Sequence, residues 1–205
     1  MSRVTLLDYG VGNTASVRRA FTRLGAEVDF TSDPERVAAA DRILLPGVGA
    51  FAPARRRLAE TGLDTALGHA LARGARLLGL CLGFQLLFEE SDEFGVTKGL
   101  GFLPGRIAGF GPGVRVPHIG WNQIARPRES LLFQGIPQGS YVYFVHSFRA
   151  EGMRGEDVAA TCDYGGGFPA AVASGGVFGC QFHPEKSSDV GRVILKNFLG
   201  EGAAS

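Results

Sequence analysis

The chain has 205 residues, 45% of them hydrophobic and 20% charged, with a formal net charge of +1 at pH 7. That is enough chain to bury a core as a single domain over residues 1–205, and too little charge to hold nucleic acid or an anionic membrane surface. No apolar run is long enough to span a bilayer, and Asp8 interrupts the N-terminal apolar stretch a signal peptide needs, so a cytoplasmic protein is expected. Cys81, Cys162 and Cys180 have no Cys-x-x-Cys spacing, which points away from a disulfide framework and from a zinc site.

In chain order, Val4–Asp8 reads as a strand, Tyr9–Asn13 as the turn after it, and Ser16–Leu24 as a helix with Val17, Ala20, Phe21 and Leu24 on one face and Gly25 as its stop. The Gly-x-Gly of this turn lacks a third glycine at Ser16, and no acidic residue closes the following strand, Glu27–Thr31, so a dinucleotide site is not expected. Asp33-Pro34 starts a short helix through Ala39. The next strand, Arg42–Leu45, runs into Pro46-Gly47-Val48-Gly49-Ala50-Phe51, a glycine turn of the kind that binds ligands in open α/β sheets, or simply a tight loop. Helices follow over Ala52–Glu60 and Leu63–Ala72, with Arg55, Arg56 and Arg57 read as a solvated face.

Arg76–Leu80 is a short apolar run that becomes helical at Cys81, with Leu82, Gln85, Leu86 and Glu89 at helix spacings. Gly79 and Gly83 let strand and helix approach closely around Cys81, as in a nucleophile elbow. A thiol at the first turn of a helix is biased toward the reactive thiolate, though a small core cysteine fits the same pattern.

From about Gly99 the texture becomes antiparallel: Ile107, Val114–Pro117, Gln123–Ala125, Tyr141–Val145, Val158–Thr161 and Ala170–Ala173 are short strands. A hairpin turn at Ser174-Gly175-Gly176 leads into Val177–Phe182. A last helix is expected over Asp189–Leu199. Pro117–Asn122, with His118 and the single tryptophan, Trp121, reads as a loop, and Tyr143–Phe148 ends a strand with His146 and Ser147. His183 and Glu185 flank Pro184 and, two apart on an extended chain, point the same way. A carboxylate that orients an imidazole, with a thiol on an elbow, supplies the parts of a nucleophilic triad. The fold expected is α/β, a mostly parallel central sheet flanked by helices with an antiparallel extension in the C-terminal half.

From Asp8 to Phe198 the chain resembles the triad-type, class I glutamine amidotransferases. The elbow Gly79-Leu80-Cys81-Leu82-Gly83-Phe84-Gln85 and His183-Pro184-Glu185 are similar to the wider superfamily. Leu45–Phe51, Pro117–Asn122, Tyr143–Ser147 and His183–Ser187 are similar to those members that serve imidazole glycerol phosphate synthase in histidine biosynthesis. Phe148 stands where that group commonly has Tyr. The resemblance implies a flavodoxin-like amidotransferase fold, no cofactor or metal, Cys81 as nucleophile, His183 as acid/base and Glu185 as its orienter. It further implies the backbone N–H groups of Leu82 and Val48 as oxyanion donors, and Gly49, Gln85, Glu93 and Ser147 as glutamine contacts. It implies a heterodimeric cyclase partner, a (β/α)8 barrel that uses the ammonia to make imidazole glycerol phosphate and an aminoimidazole carboxamide ribonucleotide. Asn13, His118, Trp121 and Lys186 are the residues expected to face that partner, Lys186 because it stands next to His183 and Glu185 with no evident role within the chain. The glutaminase subunit of pyridoxal phosphate synthase shares the elbow and the His-x-Glu pair but not the segments around Trp121 and His146. A catalytically inactive, amidotransferase-like binding module is the reading from outside the enzymes.

Overall fold

The structure, a computed structural model, describes residues 2–126 and 128–200. Strand and helix alternate at first: β1 (Arg3–Leu7), α1 (Thr14–Arg23), β2 (Glu27–Thr31), α2 (Pro34–Ala38), β3 (Arg42–Leu45), α3 (Phe51–Glu60), α4 (Leu63–Ala72), β4 (Arg76–Leu80) and the single turn α5 (Leu82–Gln85). Then come β5 (Phe88–Ser91), β6 (Thr97–Lys98), β7 (Leu103–Gly109), β8 (His118–Gln123), β9 (Tyr141–His146), β10 (Phe148–Glu151), β11 (Val158–Asp163), β12 (Gly167–Ser174), β13 (Val177–Cys180) and α6 (Ser188–Leu199).

Seven strands form the main sheet in the order β11-β12-β13-β4-β3-β1-β2. The pairs β1/β2, β1/β3, β3/β4 and β4/β13 are parallel, while β12 joins β13 and β11 joins β12 antiparallel. Helices cover both faces, so the middle strands are buried on both sides and read as unbroken apolar runs. One core gathers Val17, Phe21, Ile194 and Phe198 from α1 and α6. The other gathers Phe51, Leu58, Leu63 and Leu67 from α3 and α4. Local chemistry places the helix starts: Asn13 accepts from the Ser16 N–H ahead of α1, and Asp33 accepts from the Glu35 N–H at 2.9 Å with Pro34 next. The strand order reverses at β1, so the loops after β1 and β3 open a crevice at the carboxyl edge, where open sheets of this kind bind ligands.

Several sequence expectations change. The helical spacing through Glu89 fails after one turn, because the backbone of Leu86–Glu89 bonds instead to Gly99–Leu103, and Phe88–Ser91 becomes strand β5. Val114–Pro117 is a loop, where Pro117 has no N–H to give a ladder. Pro117–Asn122 is not a loop beyond its first residue: from His118 it is β8, paired in register with β9. The second half is not wholly antiparallel, since β7 runs parallel to β5. Arg55 is not simply solvated; it bonds Asp64 at 3.0 Å and the Gly99 carbonyl at 3.1 Å, which ties α3 to α4 and to the segment before β7.

Candidate active site

Cys81 links β4 to α5 with φ 54° and ψ −107°, a conformation that L-residues rarely adopt and that is kept only when its surroundings impose it. The imposing contacts are visible on either side. A Cβ on Gly79 would lie 2.6 Å from the Gly83 carbonyl oxygen, and one on Gly83 would lie 1.8 Å from that of Leu45. Strand, elbow and neighbouring strand thus touch backbone to backbone, and the thiol is lifted to the edge of the sheet, 8% exposed. Because α5 is a single turn, its dipole is small; the N–H of Leu82 matters more, since a first-turn donor has no preceding turn to bond to.

His183 reaches the thiol through the adjoining strand. β13 pairs parallel with β4, Cys180 opposite Leu80, and the Cys81 N–H donates to the Cys180 carbonyl at 2.8 Å. Three residues on, His183 Nδ1 donates to Glu185 Oε1 at 2.8 Å, both side chains almost fully buried. The backbone there is fixed by β9: the His183 N–H donates to the Tyr143 carbonyl (2.9 Å), and Ser187 Oγ donates to the His183 carbonyl (2.7 Å) while accepting from the Tyr143 N–H (3.0 Å). Nε2 of His183 is buried without a hydrogen-bond partner. Burial opposes a charge on this ring, but Cys81 and Glu185 more than offset it and raise its pKa to about 9. Both neighbours therefore favour the imidazolium over the neutral ring.

A cavity of about 470 Å³ opens over the thiol and is lined by Cys81, His183, Val48, Gly49, Leu82, Gln85, Glu93 and Ser147, with Glu185 behind His183. The size is ample for an amino-acid amide. A slightly larger cleft between α1 and β2 holds none of these residues. Gly49 has φ +97° and open space around a notional Cβ, so it is needed for its backbone; Gly47 is needed for room, its Cβ falling 2.8 Å from Gly83 N and from Leu82 Cβ. Gln85 spends both amide hydrogens on the Phe148 carbonyl (3.1 Å) and Gln181 Oε1 (3.0 Å), leaving only its own oxygen for a ligand. Glu93 accepts from the Phe51 N–H at 2.6 Å and so caps α3, whose N-cap Ala50 has no side chain to do it. Among the described residues no group of three or more His, Cys, Asp or Glu is placed to hold a metal ion, and no helix is long and apolar enough to cross a membrane.

Of the residues expected to face a partner, Trp121 is 52% exposed and stacks edge-on against Tyr143, over whose ring Lys186 Nζ lies at 5.9 Å. Asn13 is exposed beside the glycine turn. His118 is a correction: alternation along β8 sends it inward, 3% exposed, away from the face that carries Trp121. Sequence reasoning passed over Tyr9 and Ser187. Tyr9 Oη donates to the Pro46 carbonyl at 2.5 Å from beneath the glycine turn, and only its place at the end of β1 hinted at that. Ser187 ends the His-Pro-Glu-Lys-Ser run, where a hydroxyl after a tight turn is a signal for backbone bonding.

A strained thiol elbow and a buried His–Glu pair, just past the ends of two adjacent parallel strands of a doubly covered sheet, are the parts of a thiol-nucleophile hydrolase site. The chain belongs to the class-I glutamine amidotransferase family, whose model matches residues 5–201. Within that family it is 48% identical over 198 residues to imidazole glycerol phosphate synthase subunit HisH of Moorella thermoacetica, covering 97% of this chain and 94% of that one. The HisH subunits of Bacillus cereus and Symbiobacterium thermophilum are 47% and 46% identical, over 96% and 97% of this chain and 94% and 93% of theirs. Among solved structures, a glutamine amidotransferase superposes with a TM-score of 0.77 at 20% identity (98% and 99% coverage of this chain and that one), and PurLQS from Thermotoga maritima with 0.73 at 21% (98% and 99%), likenesses of fold.

Proposed function

We infer that the protein is the glutamine-hydrolysing subunit of an imidazole glycerol phosphate synthase, acting in histidine biosynthesis. The observation that carries this is the placement of Cys81 and His183, the latter held by Glu185, just past the ends of neighbouring strands in the lining of one cavity, in a chain close to half identical to HisH subunits.

In this reading the Cys81 thiolate attacks the side-chain amide carbon of glutamine, and the N–H groups of Leu82 and Val48 receive the oxyanion. The His183 imidazolium gives its proton to the departing nitrogen, releasing ammonia and leaving a glutamyl thioester. Neutral His183 then takes a proton from water, hydroxide adds to the thioester, and glutamate leaves, its new carboxyl proton passing to the ammonia or to solvent, with thiolate and imidazolium restored. Glu185 holds Nδ1 so that Nε2 faces the reaction. Gly49, Gln85 through its oxygen, Glu93 through the oxygen not spent on α3, and Ser147 position the substrate.

Residues 1–205 act as one amidotransferase domain, and the ammonia is consumed by a cyclase partner in a heterodimer. Trp121 and Lys186 on the outward face of the β8–β9 ribbon, with Asn13 beside the glycine turn, form the docking surface. In this reading the reaction takes place in the cytoplasm. The test mixes the protein with a cyclase and its ribonucleotide substrate. Glutamate release and glutamine-dependent synthesis should appear together, and Cys81→Ala should abolish both while synthesis from added ammonia persists. Retained glutamine-dependent synthesis in Cys81→Ala would sink the assignment.

A further inference from the structure

Two histidines that this chemistry does not use lie at the cavity, His146 in its lining and His118 behind it. His118 on β8 and His146 at the end of β9 are cross-strand partners, 3% and 6% exposed. His146 Nδ1 is 2.8 Å from the Phe148 carbonyl oxygen, and its Nε2 is 3.0 Å from His118 Nδ1. A carbonyl can only accept, so His146 carries its proton on Nδ1. A neutral imidazole has one N–H, so its Nε2 accepts and His118 Nδ1 donates. His118 Nε2 is then an acceptor as well, and it faces Asn122 Nδ2 at 3.5 Å, which also donates to the Asp163 carbonyl. The donors run one way, from Asn122 through both rings to Phe148, and the direction requires both rings to be neutral. Burial meets that requirement, lowering the pKa of His118 to about 4 and that of His146 to about 3.

The receiving segment, residues 145–148, lines the cavity throughout. The Val145 carbonyl oxygen lies 3.8 Å from Cys81 Sγ, Ser147 lines the cavity, and the Phe148 carbonyl takes Gln85 Nε2 together with His146. We propose that His118 and His146 are positioning residues: their one-way hydrogen-bonded pair holds the 145–148 strap against Cys81 and Gln85 and thereby sets how tightly glutamine is bound. The proposal rests on the glutaminase reading of the cavity. It also gives His118 a use in its buried position, on the ribbon whose outer face carries Trp121.

Two variants separate positioning from packing. The His118 ring is stacked between Phe144 (4.7 Å) and Tyr164 (3.9 Å). His118→Phe keeps that stack and loses the donor, whereas His118→Asn loses the stack and restores an N–H near the place of Nδ1. In the stimulated complex, His118→Phe should raise KM for glutamine about tenfold with kcat within about threefold of the parent, and His118→Asn should recover most of the KM. The opposite order, Phe tolerated and Asn impaired, would mean packing alone and overturn the proposal. The second measurement needs no variant: two-bond 15N–1H correlation NMR of the labelled protein near neutral pH should show His118 and His146 as Nδ1–H tautomers. A charged ring or an Nε2–H tautomer at either position overturns the one-way pair. Glutamate release by the wild type with an unmoved KM in His118→Phe defeats this proposal alone. No glutamate release by the wild-type complex defeats the glutaminase reading and this proposal with it.

Discussion

The hydroxyl of Tyr9 offers a graded probe of the glycine turn, because it holds the turn without entering the cavity. Tyr9→Phe removes one atom from a residue 2% exposed and leaves the Pro46 carbonyl, its partner at 2.5 Å, buried without a donor. Burial and the negative charge of Cys81 push the phenol pKa upward, so the hydroxyl is a donor at every working pH and its loss is a loss of hydrogen bonding alone. An orphaned buried acceptor costs about 1–3 kcal/mol. For a chain of this size that lowers Tm by roughly 2–4 °C per kcal/mol. The effect on turnover follows from the geometry. Pro46 is two residues from Val48, and complete loss of an oxyanion donor costs about 10²–10³ in kcat. Gly47 stays wedged against Gly83 and Leu82, so the turn loosens rather than leaves, and a fall of about tenfold in kcat, near 1.4 kcal/mol, is expected with KM little changed. Glutamate release in the stimulated complex gives both constants. Two electrophiles locate the defect: iodoacetamide, which displaces a leaving group without forming an oxyanion, should alkylate Cys81 at the parent rate, whereas a glutamine-derived chloromethyl ketone should slow in step with kcat. A Tyr9→Phe protein that loses stability as calculated but keeps kcat within about twofold would show that the turn is held without Tyr9 and refute the reasoning.

Further outcomes follow from the same coordinates. Gly83→Ala drives a Cβ into the Leu45 carbonyl and should cost more than about 4 kcal/mol, seen as loss of soluble folded protein, whereas Gly49→Ala meets only backbone strain of about 1–3 kcal/mol and should fold but turn over poorly. Chemical denaturation across pH should find stability highest near neutrality. His118 and His146 have pKa values lowered from 6.5, so the unfolded chain takes up protons the folded one refuses, and stability falls as pH drops below about 6.5 toward 4 by up to about 1.4 kcal/mol per unit for each ring. His183 has a raised value, so its contribution is full below about 6.5 and fades as pH rises through about 9. His118→Phe should flatten the acid limb and His183→Gln the alkaline one; limbs unchanged in both variants would remove these groups as the cause. Trp121→Ala should weaken association with the cyclase by at least about tenfold, read by titration calorimetry, while leaving Cys81 alkylation untouched in the free subunit; unchanged affinity would move the docking surface elsewhere.

The parallel half of the fold was legible because each strand is a short apolar run and each helix has a chemical start or stop: Asp33-Pro34, Gly25 and Gly74 act within a few residues of themselves. The elbow at Cys81 and the His183–Glu185 pair were legible for the same reason, Gly79 and Gly83 around Cys81 and Pro184 between His183 and Glu185 being local devices. What failed was decided across the chain. Leu86 and Glu89 have helical spacing, yet Gly99 and Leu100 compete for their backbone and win. β8 was hidden by Gly120 and by a two-residue alternation that makes sense only opposite β9, and with it the inward direction of His118. Glu93 was read as a glutamine contact, and half of its carboxylate is occupied as the cap of a helix begun 42 residues earlier, a task no local pattern announces.

Cys81 and His183 are brought together by the ladder between β4 and β13, strands that lie far apart in the chain and are separated by eight others in sequence order. Leu80 and Cys180 are 100 residues apart, so the loop that closes here is among the more costly in entropy. Thiol reactivity is therefore a late reporter in refolding. Secondary structure in the first βα units can return early, but the fast alkylation that marks a Cys81 thiolate paired with His183 should recover only with the slowest phase that consolidates the whole sheet, which makes a single cysteine a clock for the completion of the fold.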